Sequence, residues 1–229
     1  MKILAIDSSN LVMGVSIATE NRILGELMTN SLKNHSERLM PAIARLLSDV
    51  GLQAGELDRI AVAYGPGSYT GLRIGVTIAK TLAWTLHKEL VGVSSLEVVA
   101  QNGRYFDGLI APFFDARRGQ VFAGLYRSEK GRLVRVTEDR LLMMKDWLIE
   151  LAGLKERVLF LSNDRDKWQE TLTGCQWATL GDAAQNSPRP AELARIGLEK
   201  EPVQDIHHFL PVYLRLAEAE ATWLARQER

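Results

Sequence analysis

Three short strands joined by tight turns occur twice along this chain, and the repetition limits the folds open to it. The first set covers residues 2–7, 12–18 and 23–29, and the second covers 109–115, 120–126 and 132–141. Consecutive strands with tight turns form a β-meander, not a strand–helix–strand unit. The first strand of each set ends in an aspartate, Asp7 or Asp115. The pattern predicts a duplicated α/β domain, although strands ending in aspartate are common enough for coincidence.

Helical segments and further strands follow each meander. Apolar residues recur at helical spacing after a cap at Asn34 or Ser36, and Gly51 ends that helix. The remaining predicted elements are a strand over 57–64, a helix over 69–87, a strand over 90–93, a helix over 95–102, a strand over 158–162 and a helix over 192–199. Turn residues near 103–108 predict two domains, residues 1–105 and 106–229. A return of the last segment to the first domain remains open.

Composition excludes several classes of protein. The 229 residues carry 28 basic and 28 acidic side chains, so the chain lacks the basic excess of a protein that binds nucleic acid by itself. A single cysteine, Cys175, permits no internal disulfide and fits a reducing compartment. The first apolar run is cut short by Asp7, and no stretch reaches the length of a membrane span. We therefore expect a cytoplasmic protein without a membrane contact.

A glycine-rich loop, Gly65-Pro66-Gly67-Ser68, joins a predicted strand to a predicted helix. Such a loop brings backbone N–H groups close to a ligand, and a helix N-terminus favours phosphate or carboxylate. It matches neither a Walker loop nor a dinucleotide fingerprint. A turn that only connects two elements is the alternative. The residues that we assign to a vestigial phosphate site are Asp7, Ser8, Ser9, Gly65, Gly67, Ser68 and Asp115.

The helix after this loop carries a small residue at every fourth position. A ridge of small residues lets another helix approach closely. Together with apolar positions on the preceding helix, the ridge predicts a helix-pair surface for another protein. The alternative is that both helices simply pack on their own sheet. The residues that we assign to the partner interface are Leu39, Ile43, Leu47, Gly71, Leu72, Gly75, Val76, Ala79 and Ala83.

Residues that usually carry catalysis are sparse. The four histidines, His35, His87, His207 and His208, include no pair spaced four apart on a helix, as a metal-binding helix face requires. Cys175 has no flanking activation, and no Gly-x-Ser-x-Gly motif occurs. We expect no catalytic residue, no metal and no cofactor.

Several segments together resemble the bacterial TsaB (YeaZ-like) family. The similarity lies in residues 1–9, His35–Pro41, Gly65–Gly75, Gly92–Leu96, Asp115–Phe122 and Pro211–Arg215, and it is most specific in the N-terminal half. The resemblance implies the actin-like ASKHA fold, in which two related domains each contain a mixed β-sheet flanked by helices. It also implies a role in forming N6-threonylcarbamoyladenosine at position 37 of tRNAs that read codons starting with A.

In that family the catalytic subunit is TsaD, and TsaB is its scaffold. The resemblance implies direct contact with TsaD through the N-terminal helices, assembly with the ATPase TsaE in a larger complex, and tRNA contact mainly through the complex. Exposed apolar helices would also suit a homodimer when the partner is absent. The TsaD metal ligands have no counterpart here, because Val93–Val98 contains no histidine. The chain also lacks the Gly-Gly pair of the nucleotide-binding relatives.

Two enzymatic functions compete with the scaffold role. An ATP-dependent small-molecule kinase or ATPase of the same fold would use Asp7 and Asp115 around magnesium, but the adenosine motif is missing. A peptidase would need a metal pair or a nucleophile with its base, and the sequence supplies neither.

Overall fold

The structure, a computed structural model, describes residues 1–31 and 34–215. These residues include ten strands and six α-helices. The strands are β1 (Lys2–Asp7), β2 (Val12–Thr19), β3 (Arg22–Asn30), β4 (Arg59–Gly65), β5 (Glu89–Ser94), β6 (Leu109–Asp115), β7 (Gln120–Glu129), β8 (Arg132–Met143), β9 (Val158–Leu161) and β10 (Ala178–Leu180). The helices are α1 (His35–Asp49), α2 (Tyr69–Leu86), α3 (Ser95–Ala100), α4 (Met144–Gly153), α5 (Gln169–Thr173) and α6 (Pro190–Glu199).

The strands form two five-stranded mixed sheets with the same topology. The first has the order β3-β2-β1-β4-β5, and the second runs β8-β7-β6-β9-β10 when read from its meander. In each sheet the meander pairs antiparallel, and the later strands add parallel to the first one. The predicted duplication and the actin-like fold class are therefore confirmed.

Helices cover both faces of the first sheet. On one face α1 and α2 bury Leu39, Ile43 and Val76 against the apolar side chains of β1, β2 and β4. On the other face α6 packs Leu193 and Ala194 against the same three strands. This second helical layer comes from the C-terminal half of the chain.

The second sheet has its own aromatic core, built where α4 and α5 pack on one face. Trp147, Phe113 and Phe160 are fully buried there with edge-to-face ring contacts. On its other face α3 inserts Leu96 and Val99 between the two sheets. The domain boundary at residue 105 stays a prediction, and residues 216–229 of the predicted second domain lie outside the described residues.

The observed helices and strands agree closely with those predicted from the sequence, and the differences lie at their ends. Asn34, not Ser36, caps α1 by accepting from the Ser36 backbone N–H. The helix expected over 95–102 ends at Ala100 and continues as a 3₁₀ turn over Gln101–Gly103. His87 adopts a left-handed conformation and ends α2.

Neighbouring residues of α1 should differ sharply in their effect on stability. Leu39 is fully buried, so Leu39→Ala should lower the free energy of unfolding by about 2–5 kcal/mol. Met40 is 42% exposed, and Met40→Ala should cost under about 1 kcal/mol. Urea unfolding of both variants checks this, and equal losses would contradict the orientation of α1.

Candidate functional site

The C-terminal ends of β1 and β4 lie side by side, because the two strands are parallel neighbours. Asp7 is the last residue of β1 and is followed by Ser8 and Ser9, and the glycine loop begins at Gly65, the last residue of β4. In open α/β sheets such ends are where ligands bind. The fold thus gathers six of the seven residues assigned to a phosphate site, whereas Asp115 lies at the corresponding end of β6 in the second sheet.

The chain itself occupies the space between these two segments. The Ser68 backbone N–H donates to the Ser9 carbonyl oxygen over 2.7 Å. The Ser8 hydroxyl donates to the Gly71 carbonyl oxygen over 2.8 Å. A Cβ atom on Gly67 would collide with the Ser9 carbonyl oxygen, and one on Gly71 would collide with that of Ser8. The glycines therefore let the backbone approach other backbone, not a ligand.

Asp7 lies beneath this contact and is fully buried. Burial raises the pKa of its carboxyl group, against the lowering effect of the Ser9 backbone N–H and hydroxyl that both donate to Oδ1. Oδ2 has no hydrogen-bond partner among the described residues. Burial therefore shifts this carboxyl group toward its neutral form, which weakens it as a ligand for magnesium.

Asp115, the counterpart of Asp7 in the second sheet, forms an ion pair with Lys167. The Lys167 Nζ lies 2.8 Å from Asp115 Oδ2 and 3.3 Å from Asp164 Oδ1. The hydrogen bond to Asp115 raises the pKa of Lys167. Within residues 1–31 and 34–215, no three His, Cys, Asp or Glu side chains come together as metal ligands.

A strap, residues 200–215, crosses α2 and the end of β4. The Lys80 ammonium group on α2 donates to the carbonyl oxygens of His207 and Phe209, each over 2.8 Å. The Val212 backbone N–H donates to the Tyr64 carbonyl oxygen over 2.8 Å. A Cβ atom on Gly65 would collide with the Val212 carbonyl oxygen. The strap therefore covers the loop that was assigned to phosphate binding.

The strap ends on the turn between β6 and β7, so it links the two sheets. The Arg215 guanidinium donates to the Ala116 carbonyl oxygen and to the Gln120 side chain. Sequence reasoning did not anticipate this path, because strap contacts such as Arg215 to Ala116 span 99 residues. The Pro211–Arg215 motif was its one visible signal.

The nine residues assigned to a partner interface lie inside the chain's own core. Those that are not glycine are at most 9% exposed, and the two glycines are buried as well. The Gly75 position, for example, abuts the Ser8 hydroxyl. Both helices use these apolar faces to cover the first sheet, and the assignment of the nine residues to a partner interface stays a prediction. The helix-pair surface itself stays a prediction.

The outer side of the helix pair carries a different set of residues. Met40 and Ala44 are exposed on α1, and Thr77 is exposed on α2. Ile74 and Ile78 are half-buried on the flank of α2 and pack only partly against the core below. Helical spacing places Met40 with Ala44 on one side of α1, and Ile74 with Ile78 on one side of α2. We call these exposed and half-buried apolar residues of the two neighbouring helices the seam.

Comparisons with known proteins place these features in a family context. The family model described as TsaD, tRNA N6-adenosine threonylcarbamoyltransferase, matches residues 22–223. The chain is 50% identical over 230 residues to the tRNA threonylcarbamoyladenosine biosynthesis protein TsaB of Bacillus subtilis, with 100% of each covered. It is 28% identical to TsaB of Escherichia coli over 184 residues, which covers 79% of this chain and 75% of that protein.

A solved structure has the same fold over nearly the whole chain. It is a Pseudomonas aeruginosa protein described as uncharacterized with similarity to peptidase YEAZ, with a TM-score of 0.79 and 25% sequence identity. The match covers 93% of this chain and 99% of that one.

At Gly71, helix propensity and packing predict opposite effects of a substitution by alanine. Gly71→Ala should favour α2 locally by about 1 kcal/mol, yet the added methyl group meets the Ser8 carbonyl oxygen. We expect a net loss of stability of about 1–3 kcal/mol, as at an overpacked core position. Gly55→Ala, which meets no atom within 4 Å, is the control in the same denaturant titration. A neutral Gly71→Ala would contradict the close approach of α2 to the Ser8 carbonyl oxygen.

The buried carboxyl group of Asp7 predicts that the stability difference between wild type and Asp7→Asn depends on pH. Because folding raises the pKa of Asp7 above 3.8, its contribution to stability is full at pH below that value and is lost as pH rises through the folded pKa. Asp7→Asn keeps an oxygen acceptor for Ser9 and does not ionise. Its stability relative to wild type should therefore increase between about pH 4 and about pH 7.5. Urea titrations at both pH values measure this, with exposed Asp107→Asn as the control; a constant difference would contradict it.

Proposed function

Because this chain belongs to the TsaB family, we propose that it is the non-catalytic partner of a TsaD-type subunit in forming N6-threonylcarbamoyladenosine at position 37 of tRNA. Its tRNAs are those that read codons starting with A. The relatives that support this are named for tRNA threonylcarbamoyladenosine biosynthesis, and the matching family model is named for the transferase. The proposal makes the chain an accessory subunit in the cytoplasm. No helix among the described residues has both the length and the apolar character needed to cross a bilayer.

The observation that carries the non-catalytic part is the filled loop at the ends of β1 and β4. The glycines of this loop pack on Ser8 and Ser9, and the strap covers Gly65. Such packing counts against an ATP-dependent kinase or ATPase, which would need this loop open to phosphate. Micromolar ATP binding by the purified chain in calorimetry would favour the enzyme instead.

The seam between α1 and α2 is the surface that we propose for TsaD. Met40, Ala44, Ile74 and Ile78 offer apolar groups there, and Thr77 lies between the two isoleucines along α2. Small side chains such as Ala44 would let a partner helix approach closely. The predicted residues below, such as Gly75 and Ala79, would hold the two helices in position without touching the partner.

The remaining assembly is part of the same proposal. TsaE would join the TsaB–TsaD pair in a larger complex, and tRNA would bind mainly through that complex. Without TsaD, two copies of this chain would pair through the same seam, because a two-fold axis can place identical apolar surfaces against each other.

The seam can be tested with a matched pair of variants in which an alanine is replaced by arginine. Ala44→Arg places a charged side chain in the seam, and Ala152→Arg makes the same change at an exposed position of α4 in the other sheet. Light scattering of each variant mixed with TsaD should give a one-to-one complex for wild type and Ala152→Arg. Ala44→Arg should weaken it by at least about tenfold, since burying an unpaired charge in an interface is costly.

Two outcomes would count against the proposal. A full-strength complex with Ala44→Arg would move the interface away from the seam. A wild-type chain that forms no complex with TsaD at any concentration would remove the partner role itself.

A further inference from the structure

Tyrosine and arginine side chains form a continuous row where the strap meets the two sheets. We call this row the arginine strip. It runs from the N-terminal end of α2, along the strap, to the turn between β6 and β7. Its members are Tyr69, Arg73, Tyr213, Arg215, Arg117 and Arg118.

At the α2 end, two tyrosines hold Arg73 in place. The Arg73 guanidinium lies 4.2 Å from the centroid of the Tyr69 ring, and its Nε donates to the Tyr213 hydroxyl over 3.2 Å. The two tyrosine rings are 4.7 Å apart. Each tyrosine stays more than a third exposed, so the cluster lies at the surface. Arg73 therefore has a fixed orientation while its charge remains open to solvent.

At the other end, a tight turn displays two arginines in an unfavourable backbone conformation. Arg117 has a φ of 62° and Arg118 a φ of 54°, and Gly119 follows with 76°. Left-handed conformations favour glycine or asparagine, and a larger side chain costs of order 1 kcal/mol there. Both arginines are exposed and do not contribute to the core. Stability alone would favour other residues at these positions.

Arg215 connects the two ends of the strip. It lies two residues after Tyr213, a backbone distance of at most roughly 7 Å. Its guanidinium binds neutral acceptors, the Ala116 carbonyl oxygen and the Gln120 side chain. Its positive charge is therefore added to that of the turn without neutralisation by those contacts.

Charge balance differs among the arginines of the described residues. Ten described arginines lie within 4 Å of a carboxylate. Arg73, Arg117 and Arg215 have no such carboxylate within the part of the chain that the structure describes, and Arg22, Arg38 and Arg157, which lie outside the strip, have none there either. The nearby Asp115 already pairs with Lys167. In a chain of zero net charge, this concentrates positive charge at one edge.

We propose that the arginine strip binds the phosphate backbone of the tRNA, so that this chain contacts the RNA directly. The inference rests on the proposed function for the identity of the RNA. Arginine suits phosphate because its planar group donates paired hydrogen bonds and stays charged. The strip places arginines on three separate elements, α2, the strap and the turn between β6 and β7, so it suits a polyanion better than a single free phosphate or nucleotide.

The salt dependence of tRNA binding tests the strip. The double variant Arg73→Gln/Arg117→Gln removes two charges from it, and Arg22→Gln/Arg132→Gln removes two exposed charges elsewhere. Binding of labelled tRNA is measured at several salt concentrations, both for the chain alone and for its mixture with TsaD. The strip variant should bind more weakly, with a log–log salt slope lower by roughly 1.4–1.8, while the control keeps the wild-type slope.

A stability measurement separates this role from a structural one. Arg117→Asn suits the left-handed turn, so its melting temperature should equal or exceed that of wild type. It should nevertheless weaken tRNA binding and lower the salt slope by about 0.7–0.9. Loss of both stability and binding would overturn the proposal, because the arginine would then be a structural residue.

The remaining outcomes are also decisive. Equal slopes for the strip and control variants overturn the inference. So does a strip variant that loses affinity for inorganic phosphate or ATP but not for tRNA, which would indicate a small-ligand site. If the strip variant fails to bind TsaD in light scattering, the strip is a protein interface. Failure of wild type to bind TsaD rejects the proposed function instead, and the chain-alone titration then still decides about the strip.

Discussion

The close approach of α2 to the end of β1 is the contact on which the rest of the structure depends. Gly71 and Gly75 leave room for Ser8, whose hydroxyl binds the Gly71 carbonyl oxygen. This contact fixes α2 on the first sheet and closes the glycine loop. It also sets the orientation of α1, which packs beside α2 on the same face. A larger side chain at either glycine would displace the helix that carries both candidate surfaces.

Closure of the loop fills the place where open α/β sheets usually bind a ligand, which supports the proposed scaffold role. Where strand ends of an open sheet usually leave a crevice, here backbone meets backbone and the strap lies across the loop. Asp7 is left as a buried carboxyl group with a raised pKa. The surfaces that remain are outside the crevice: the seam between the helices and the arginine strip. The strap holds one end of the strip against α2 and the other against the second sheet.

Much of the fold followed from local pattern. The two meanders, the cap at Asn34 and the strand–loop–helix at Gly65–Ser68 were all visible, because turn residues and hydrophobic periodicity act over a few positions. Local pattern predicted less of the candidate site. The small residues of α2 were read as a partner ridge, and they instead accommodate Ser8 and the side chains of β4. Periodicity identifies a face that is buried but does not say what covers it.

The amino-acid order was therefore sufficient for the duplicated meander, the two mixed sheets and, through its motifs, the family. Folding in three dimensions was needed to show that the loop is filled, that the nine interface residues are core, and that Arg73 and Arg215 lie in one row. The physical reason is separation along the chain. Contacts such as Arg73 with Tyr213, 140 residues apart, or Arg215 with Ala116, 99 apart, leave no local signal, since no periodicity or turn preference relates the two partners.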